Sequence, residues 1–150
     1  MKKFLLFVGG MISCVMAYGQ TAESVIEKFK TANGVEYIHM NGDAFSGSLN
    51  ADKFSKSTKN ILSNSLITGF VSQVKGIKSA EMLLIAQNDV LAQVSNELQA
   101  LGSRGYAKSS TVSNDNLCYI KQDGKNIAEI VFLKNKTKND KQAMLLVLKK

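Results

Sequence analysis

The chain has 150 residues and a net charge of +7, with no proline and only two cysteines. That length suits a single domain that buries an ordinary hydrophobic core without disulfide support. The sequence contains no internal repeat, low-complexity stretch or linker-like segment, which excludes a multidomain or fibrous organisation and favours one compact domain.

The first 19 residues have the three parts of a secretory signal peptide. Lys2 and Lys3 give a positive start, an apolar run extends from Phe4 to about Ala17, and Ala17-Tyr18-Gly19 has the small-x-small pattern of a cleavage site. The run is shorter than the ~20 apolar residues of a spanning helix. We therefore predict a signal peptide over 1–19 and a single mature domain over 20–150, exported to the periplasm or outer envelope, with secretion as the alternative.

The two cysteines bear on anchoring and redox chemistry. Met11-Ile12-Ser13-Cys14 resembles a lipobox, so lipidation of Cys14 is an alternative to simple cleavage. Cleavage after Gly19 leaves only Cys118, and an intramolecular disulfide is then impossible. Because Leu117 and Ile120 flank it closely, Cys118 is predicted to be a buried apolar residue, with intermolecular pairing as the alternative.

The first elements of the mature chain are a helix and a strand. Thr21 is a candidate N-cap, and Asn33-Gly34 ends the helix. Residues 35–40 alternate as a short strand, 41–43 turn the chain, and a short helix or loop with Phe45 follows.

The middle of the chain predicts two long amphipathic helices around one strand. Residues 55–74 carry apolar side chains at spacings of three and four, and Asn88 is predicted to cap the second helix, which ends near Gly102. Between them, 77–86 reads as a strand whose run Met82-Leu83-Leu84-Ile85 indicates burial on both faces.

The last third has the shorter period of strands. We predict strands over 106–112, 117–122, 126–133 and 143–148. Asp123-Gly124 lies at two-residue hairpin spacing; a type I′ turn there would place Ile120 opposite Ile127. The fold class is therefore α+β: an antiparallel sheet of five to six strands, with the two long amphipathic helices packed on one face.

Several phrases together resemble a known family, and they cover essentially the whole mature chain: NGVEYIHMNG, VKGIKSAEMLLI, LQALGSRGYAKSST and YIKQDGKNIAEIVFL. The chain is similar in these phrases and in its order of elements to a family of exported proteins from Bacteroides-type bacteria, domain-of-unknown-function family number 4252. The resemblance implies an envelope location and an α+β domain. It brings no functional residues.

Residues that could carry chemistry are few. His39 is the only histidine and has no partners at metal-ligand or triad spacing, so a strand-edge histidine is the better interpretation. Ser46 and Ser48 are not in a G-x-S-x-G setting, nucleotide-binding glycine motifs are absent, and the twelve acidic residues are scattered. We predict no catalytic, cofactor-binding or metal-binding residues, no cofactor, and no enzymatic activity.

The C-terminal strands suggest an interaction surface. They carry apolar residues on both faces, and an uncovered face of that kind usually marks an interface. The basic excess after Lys121 consists of lysines without interleaved aromatics, which argues against nucleic acid as a ligand.

The resulting hypothesis is a non-enzymatic binding or protein-interaction module of the envelope. It would form a homodimer or bind an envelope protein through the C-terminal sheet, and would meet a membrane only if lipidated at Cys14. The alternatives are a lipid-anchored lipoprotein involved in envelope sensing and a small periplasmic hydrolase with its site assembled from scattered residues. Separately, Tyr37 and Tyr119 could line a ligand surface.

Overall fold

The computed structural model describes residues 21–48, 76–109, 116–138 and 141–150. The predicted signal peptide, the lipobox alternative at Cys14 and the predicted helix at 55–74 lie outside these residues. Within them, the chain is an α+β domain built on one six-stranded antiparallel sheet.

The sheet has the strand order β1-β2-β6-β5-β4-β3. Its strands are β1 (Val35–Asn41), β2 (Ser79–Ile85), β3 (Tyr106–Lys108), β4 (Leu117–Asp123), β5 (Asn126–Lys134) and β6 (Ala143–Lys149). The last strand lies inside the sheet between β2 and β5, and all of 143–148 is buried. A continuous apolar run of this kind is typical of a strand covered on both faces.

The described helices are α1 (Ala22–Phe29), α2 (Gly42–Ser48) and α3 (Asn88–Gln99), and a 3₁₀ turn (Ala100–Ser103) continues α3. One of the two predicted long helices is therefore present as α3, and it packs beside the shorter α1. The described helices do not all share one face, because Phe45 of α2 belongs to the opposite side of the sheet.

Helix starts are fixed by local hydrogen bonds. The prediction for Thr21 is confirmed: its Oγ1 accepts a bond from the Ser24 N–H at 3.2 Å, while the Ser24 hydroxyl accepts one from the Thr21 N–H at 2.9 Å. The prediction for Asn88 is wrong, since Gln87 is the N-cap and makes no side-chain cap. The Asn88 side chain instead accepts a hydrogen bond from Lys136 at 2.7 Å.

A close approach of two backbones explains the glycine that starts α2. A Cβ on Gly42 would lie 1.7 Å from the carbonyl oxygen of Ile77, so any larger residue would force the two segments apart. Asn41 completes this start, because its Oδ1 accepts a hydrogen bond from the Ala44 N–H at 2.7 Å.

The predicted β4–β5 hairpin exists, but its turn lies one residue later than expected. Asp123 pairs with Asn126, so Gly124 and Lys125 form the loop, and a register shift follows between Lys121 and Gln122. Ile120 consequently faces Ile130 rather than Ile127. Gly124 has φ +62°, and the residue after it has a negative φ, which fits a type II′ turn with glycine first rather than type I′.

Each face of the sheet carries its own apolar cluster. The first face packs against α1 and α3 through residues of alternate positions, among them Leu83, Val131, Leu145 and Val147. The second face holds Phe45 of α2 with Met82, Phe132, Leu146 and other residues at the intervening positions. The buried members of both clusters on the C-terminal strands are at most 3% exposed, while Leu117, Ile120 and Ile127 are only partly buried.

Candidate functional site

His39 lies on β1 at the edge of the sheet, and its side chain is exposed. The residue directly opposite on β2 is Glu81. Among the described residues, no three histidine, cysteine, aspartate or glutamate side chains gather closely enough to hold a metal ion. His39 is thus a strand-edge residue, as the sequence indicated, and it faces a single carboxylate across the ladder.

Ser46 and Ser48 lie within α2. A nucleophile elbow requires the serine at the sharp turn between a strand and a helix, where its hydroxyl projects. The turn between β1 and α2 is occupied by Asn41 and Gly42 instead, so this segment lacks the backbone arrangement of that motif.

The described polar residue that sequence reasoning missed is Glu129, a carboxylate only 9% exposed on the first face. It belongs to a row that crosses the sheet, in which Tyr106 pairs with Lys121, Lys121 with Glu129, and Glu129 with Lys149. We call these four residues the polar row. The signal in the sequence was a single acidic residue inside the apolar run of β5.

Hydrogen bonds tie the polar row to α1. The hydroxyl of Tyr106 donates to Oε1 of Glu129 at 2.9 Å and accepts a bond from the Ala22 N–H at 3.3 Å. Lys149 donates to Oε2 of Glu23 in the first turn of α1 at 2.8 Å. The free N–H groups at the start of a helix need partners, and the sheet supplies one of them here.

The charge state of Glu129 follows from this environment. Burial raises the pKa of Glu129, although the hydrogen bond from Tyr106 and the nearby Lys149 and Lys121 act in the opposite direction. Burial also raises the pKa of Tyr106. A carboxyl group with a raised pKa is a candidate proton donor in principle, so its access to a substrate decides its role.

A cleft opens near the β4–β5 turn, and Glu129 is not among the residues that line it. It has a volume of about 310 Å³ and opens beside the β4–β5 turn, with walls that include Lys78, Asp123, Ile127 and Lys150. None of its lining residues belongs to the polar row. We conclude that the polar row fastens α1 to the sheet.

Several of the C-terminal lysines have partners within the chain. Lys136 bonds to the Ala86 carbonyl and to Asn88, Lys149 bonds to Glu23, and the Lys121 ammonium lies 5.4 Å from the centre of the Tyr106 ring. These side chains therefore connect the C-terminal part of the chain to α1, α3 and β3.

Cys118 has the environment that the sequence predicted. It lies on the second face, is fully buried, and burial raises its pKa to about 12. Because the thiolate is the reactive form, Cys118 is a poor nucleophile in the folded chain.

The free edge of β1 is the feature best placed for binding. In the described part of the chain, β1 has a neighbouring strand on one side only. The Gly42 N–H bonds to Lys78 at 2.9 Å and the Ala86 N–H bonds to Gly34 at 3.1 Å, so even-numbered residues of this ladder direct their backbone groups toward β2. The odd-numbered residues Tyr37, His39 and Asn41 consequently direct theirs outward.

Tyr37 adds an aromatic surface to this edge. At 36% exposure it is the exposed large hydrophobic side chain of the described residues, whereas Tyr119, the other tyrosine considered for a ligand surface, is buried. Its hydroxyl donates to Oε2 of Glu81 at 2.8 Å, and the Lys30 ammonium lies 5.5 Å from its ring centre. Burial, followed by the bond to Glu81, raises the pKa of Tyr37 to about 12, so it is a neutral donor at physiological pH.

Comparisons with known proteins give no relative: the chain matches no family model, no curated protein and no solved structure. Among the described helices, none is long and apolar enough to cross a membrane.

Proposed function

We propose that this chain is an exported envelope protein that acts without catalysis, by binding another protein chain along the free edge of β1. The observation that carries the proposal is an edge strand of seven residues with outward backbone groups and an exposed tyrosine. An added strand would gain main-chain hydrogen bonds from this edge, and tyrosine is enriched at protein interfaces.

The contact predicted from sequence lay on the C-terminal sheet, and we propose β1 as the binding strand in its place. Strands β5 and β6 each have a neighbour on both sides, and 129–134 of β5 and 143–148 of β6 are buried within the chain. The requirement for a partner to cover an apolar face is therefore met inside the molecule. Among the described strands, none pairs with the outer edge of β1.

A second long amphipathic helix over 55–74 remains the prediction of the apolar spacing there, and those residues lie outside the described part of the chain.

Photo-cross-linking in intact cells tests the binding function. A photoreactive benzoylphenylalanine replaces Tyr37 in one strain, and Lys125 in a control strain, because Lys125 is exposed on the β4–β5 turn away from this edge. We expect a discrete cross-linked product, identified by mass spectrometry, from position 37 alone. Equal products from both positions, or none from either, would contradict binding at β1.

Export and anchoring are tested on the same purified protein by intact mass. We propose cleavage after Gly19, which gives a chain that starts at Gln20. An acylated chain that starts at Cys14 would support the lipid-anchored alternative, and an uncleaved chain would contradict export through a signal peptide.

A further inference from the structure

Within the described residues, the edge of β1 has few of the features by which proteins protect edge strands. Natural edges are commonly short, or carry lysine, proline or a bulge that prevents pairing with another chain. β1 has seven residues, VEYIHMN, pairs with β2 in one unbroken register, and contains no lysine or proline. The opposite edge strand, β3, has only three residues and ends at Lys108. The two edge strands thus differ in length and in whether they carry a lysine.

The outward backbone groups of β1 are arranged symmetrically about Ile38. Tyr37 and His39 each direct an N–H and a carbonyl outward, one on either side of it. Asn41 does the same at one end, whereas the Val35 N–H already bonds to Ala32 at 3.2 Å and leaves only its carbonyl. An antiparallel neighbour centred on Ile38 would therefore meet donors opposite acceptors along the full strand.

We propose that two copies of this chain pair through β1, antiparallel about a two-fold axis at Ile38, so that the two sheets become continuous. This inference rests on the proposed function and names the partner as a second copy. Tyr37 then pairs with His39 of the partner subunit, and Val35 with Asn41 of the partner subunit. About six backbone hydrogen bonds form, and Ile38 lies opposite Ile38 of the partner subunit in a non-hydrogen-bonded pair.

The charges near the axis suit a second copy. On the first face, His39 lies between its own Glu81 on β2 and Tyr37 of the partner subunit. On the second face, Glu36 lies opposite Met40 of the partner subunit. No like charges stand directly opposite each other, which is the condition for a stable cross-strand pair.

Other two-fold registers fit less well. An axis at Tyr37 or at His39 shortens the paired stretch to roughly five residues, because the strand must be centred for its full length to overlap. An axis at His39 also places that imidazole directly against the same residue of the partner subunit. The interface is small, so we expect a reversible dimer that dissociates on dilution.

A disulfide across the axis tests the register. In the full chain with Cys14 replaced by serine, Ile38→Cys places two thiols in a non-hydrogen-bonded pair with Cα atoms about 4.5 Å apart, within disulfide range. The matched control Glu36→Cys leaves its two thiols about 13 Å apart, since four residues separate them along the strands. Buried Cys118 is common to both variants.

We expect mild oxidation to convert most of the Ile38→Cys chain to a disulfide-linked dimer on a non-reducing gel and to leave the Glu36→Cys chain monomeric. Equal cross-linking of the two variants would overturn the register. Failure of both to cross-link would overturn the dimer. If that failure occurs while photo-cross-linking at position 37 captures a different protein, the binding function stands and the second copy is excluded as its partner.

A proline substitution tests the backbone hydrogen bonds separately. His39→Pro removes an outward N–H and no bond to β2, whereas His39→Ala removes the same side chain and keeps that N–H. By analytical ultracentrifugation we expect the alanine variant to dimerise within about threefold of the parent affinity and the proline variant to be monomeric at the same concentrations. Equal dimerisation of both variants, with circular dichroism showing both folded, would overturn pairing through β1.

Discussion

Two tyrosine–glutamate hydrogen bonds lie on the same face of this sheet, one near each edge. Tyr37 donates to Glu81 at 2.8 Å and Tyr106 donates to Glu129 at 2.9 Å. The chemistry is the same, yet Tyr37 is 36% exposed and Tyr106 only 3%. Near β3 the hydroxyl also receives the Ala22 N–H of α1, while near β1 it lies at an open edge.

This difference in exposure determines how much each tyrosine–glutamate hydrogen bond contributes to stability. Water competes with the exposed bond and replaces it when it is lost, so that bond contributes little to folding. Water cannot easily reach the buried bond, and its loss leaves a carboxyl oxygen without a partner. The Tyr106 pair therefore stabilises the fold, and the Tyr37 pair leaves an aromatic ring available to another chain.

The largest expected effect is that of Tyr106→Phe. The change keeps the ring and removes the donor to buried Glu129, so we expect the free energy of unfolding to fall by about 1–3 kcal/mol. Urea denaturation followed by circular dichroism measures it, with Tyr37→Phe as the matched control. Equal losses of unfolding free energy in the two variants would show that burial does not make the Tyr106–Glu129 bond more stabilising than the Tyr37–Glu81 bond.

Thr21→Ala tests whether the buried pair acts through α1. Loss of this N-cap should lower the free energy of unfolding by about 1 kcal/mol. Thr21 accepts the Ser24 N–H and Tyr106 accepts the Ala22 N–H, so both residues stabilise the first turn of α1. The losses of unfolding free energy from Thr21→Ala and Tyr106→Phe should therefore not add in the double mutant. Strict additivity would mean that Tyr106 and Thr21 stabilise separate parts of the molecule.

Glu129→Gln tests the electrostatic cost of the buried pair through pH. Burial raises the pKa of Glu129 above its ordinary value of 4.5, so proton binding favours the folded state. Its contribution to stability is complete below about pH 4.5 and is lost as pH rises through the raised pKa of the folded chain. Glutamine still accepts from Tyr106 and does not ionise.

We therefore expect wild type and Glu129→Gln to have similar melting temperatures near pH 4. As pH rises toward 7, the melting temperature of the variant should rise relative to that of wild type. Thermal melts across this range measure the difference. Glu23 should show the opposite sign, because the hydrogen bond from Lys149 lowers its pKa and its stabilising effect is lost as pH falls. A Glu129→Gln variant that loses stability as pH rises would show that Lys121 and Lys149 outweigh burial.

Local pattern was enough to predict most of the described fold. The six strands and the α+β class follow from periodicity, and the Thr21 cap from its position before an apolar stripe. The β4–β5 register was missed because a glycine supports a turn at either of two positions, and the bulge after Lys121 depends on the packing of both strands. Strand order was also beyond the sequence, because no local signal places β6 between β2 and β5.

The candidate site was less predictable for the same reason. Tyr37 was recognised as a possible surface residue, but its position on a free edge depends on which strands pair across the whole sheet. The environment of Glu129 likewise depends on distant parts of the chain, because the Tyr106 hydroxyl that donates to it also accepts from Ala22 of α1, about a hundred positions from Glu129. Tertiary arrangement, rather than composition, separates the two tyrosine–glutamate pairs.

The smallest expected effect is that of Tyr37→Phe on folding. The change removes the hydroxyl, and water replaces it as the partner of the Glu81 carboxylate at this open edge, so the free energy of unfolding should change by less than about 0.5 kcal/mol. Dimerisation should also persist, because the proposed pairing uses the backbone of this residue.

Tyr37→Lys places a charge of the kind that protects natural edges beside the two-fold axis. This variant should weaken the dimer at least tenfold while leaving the melting temperature nearly unchanged. A strong loss of folding stability from Tyr37→Phe would mean that the Tyr37–Glu81 hydrogen bond also stabilises the fold. Tyr37 would then not be available for contact with a partner.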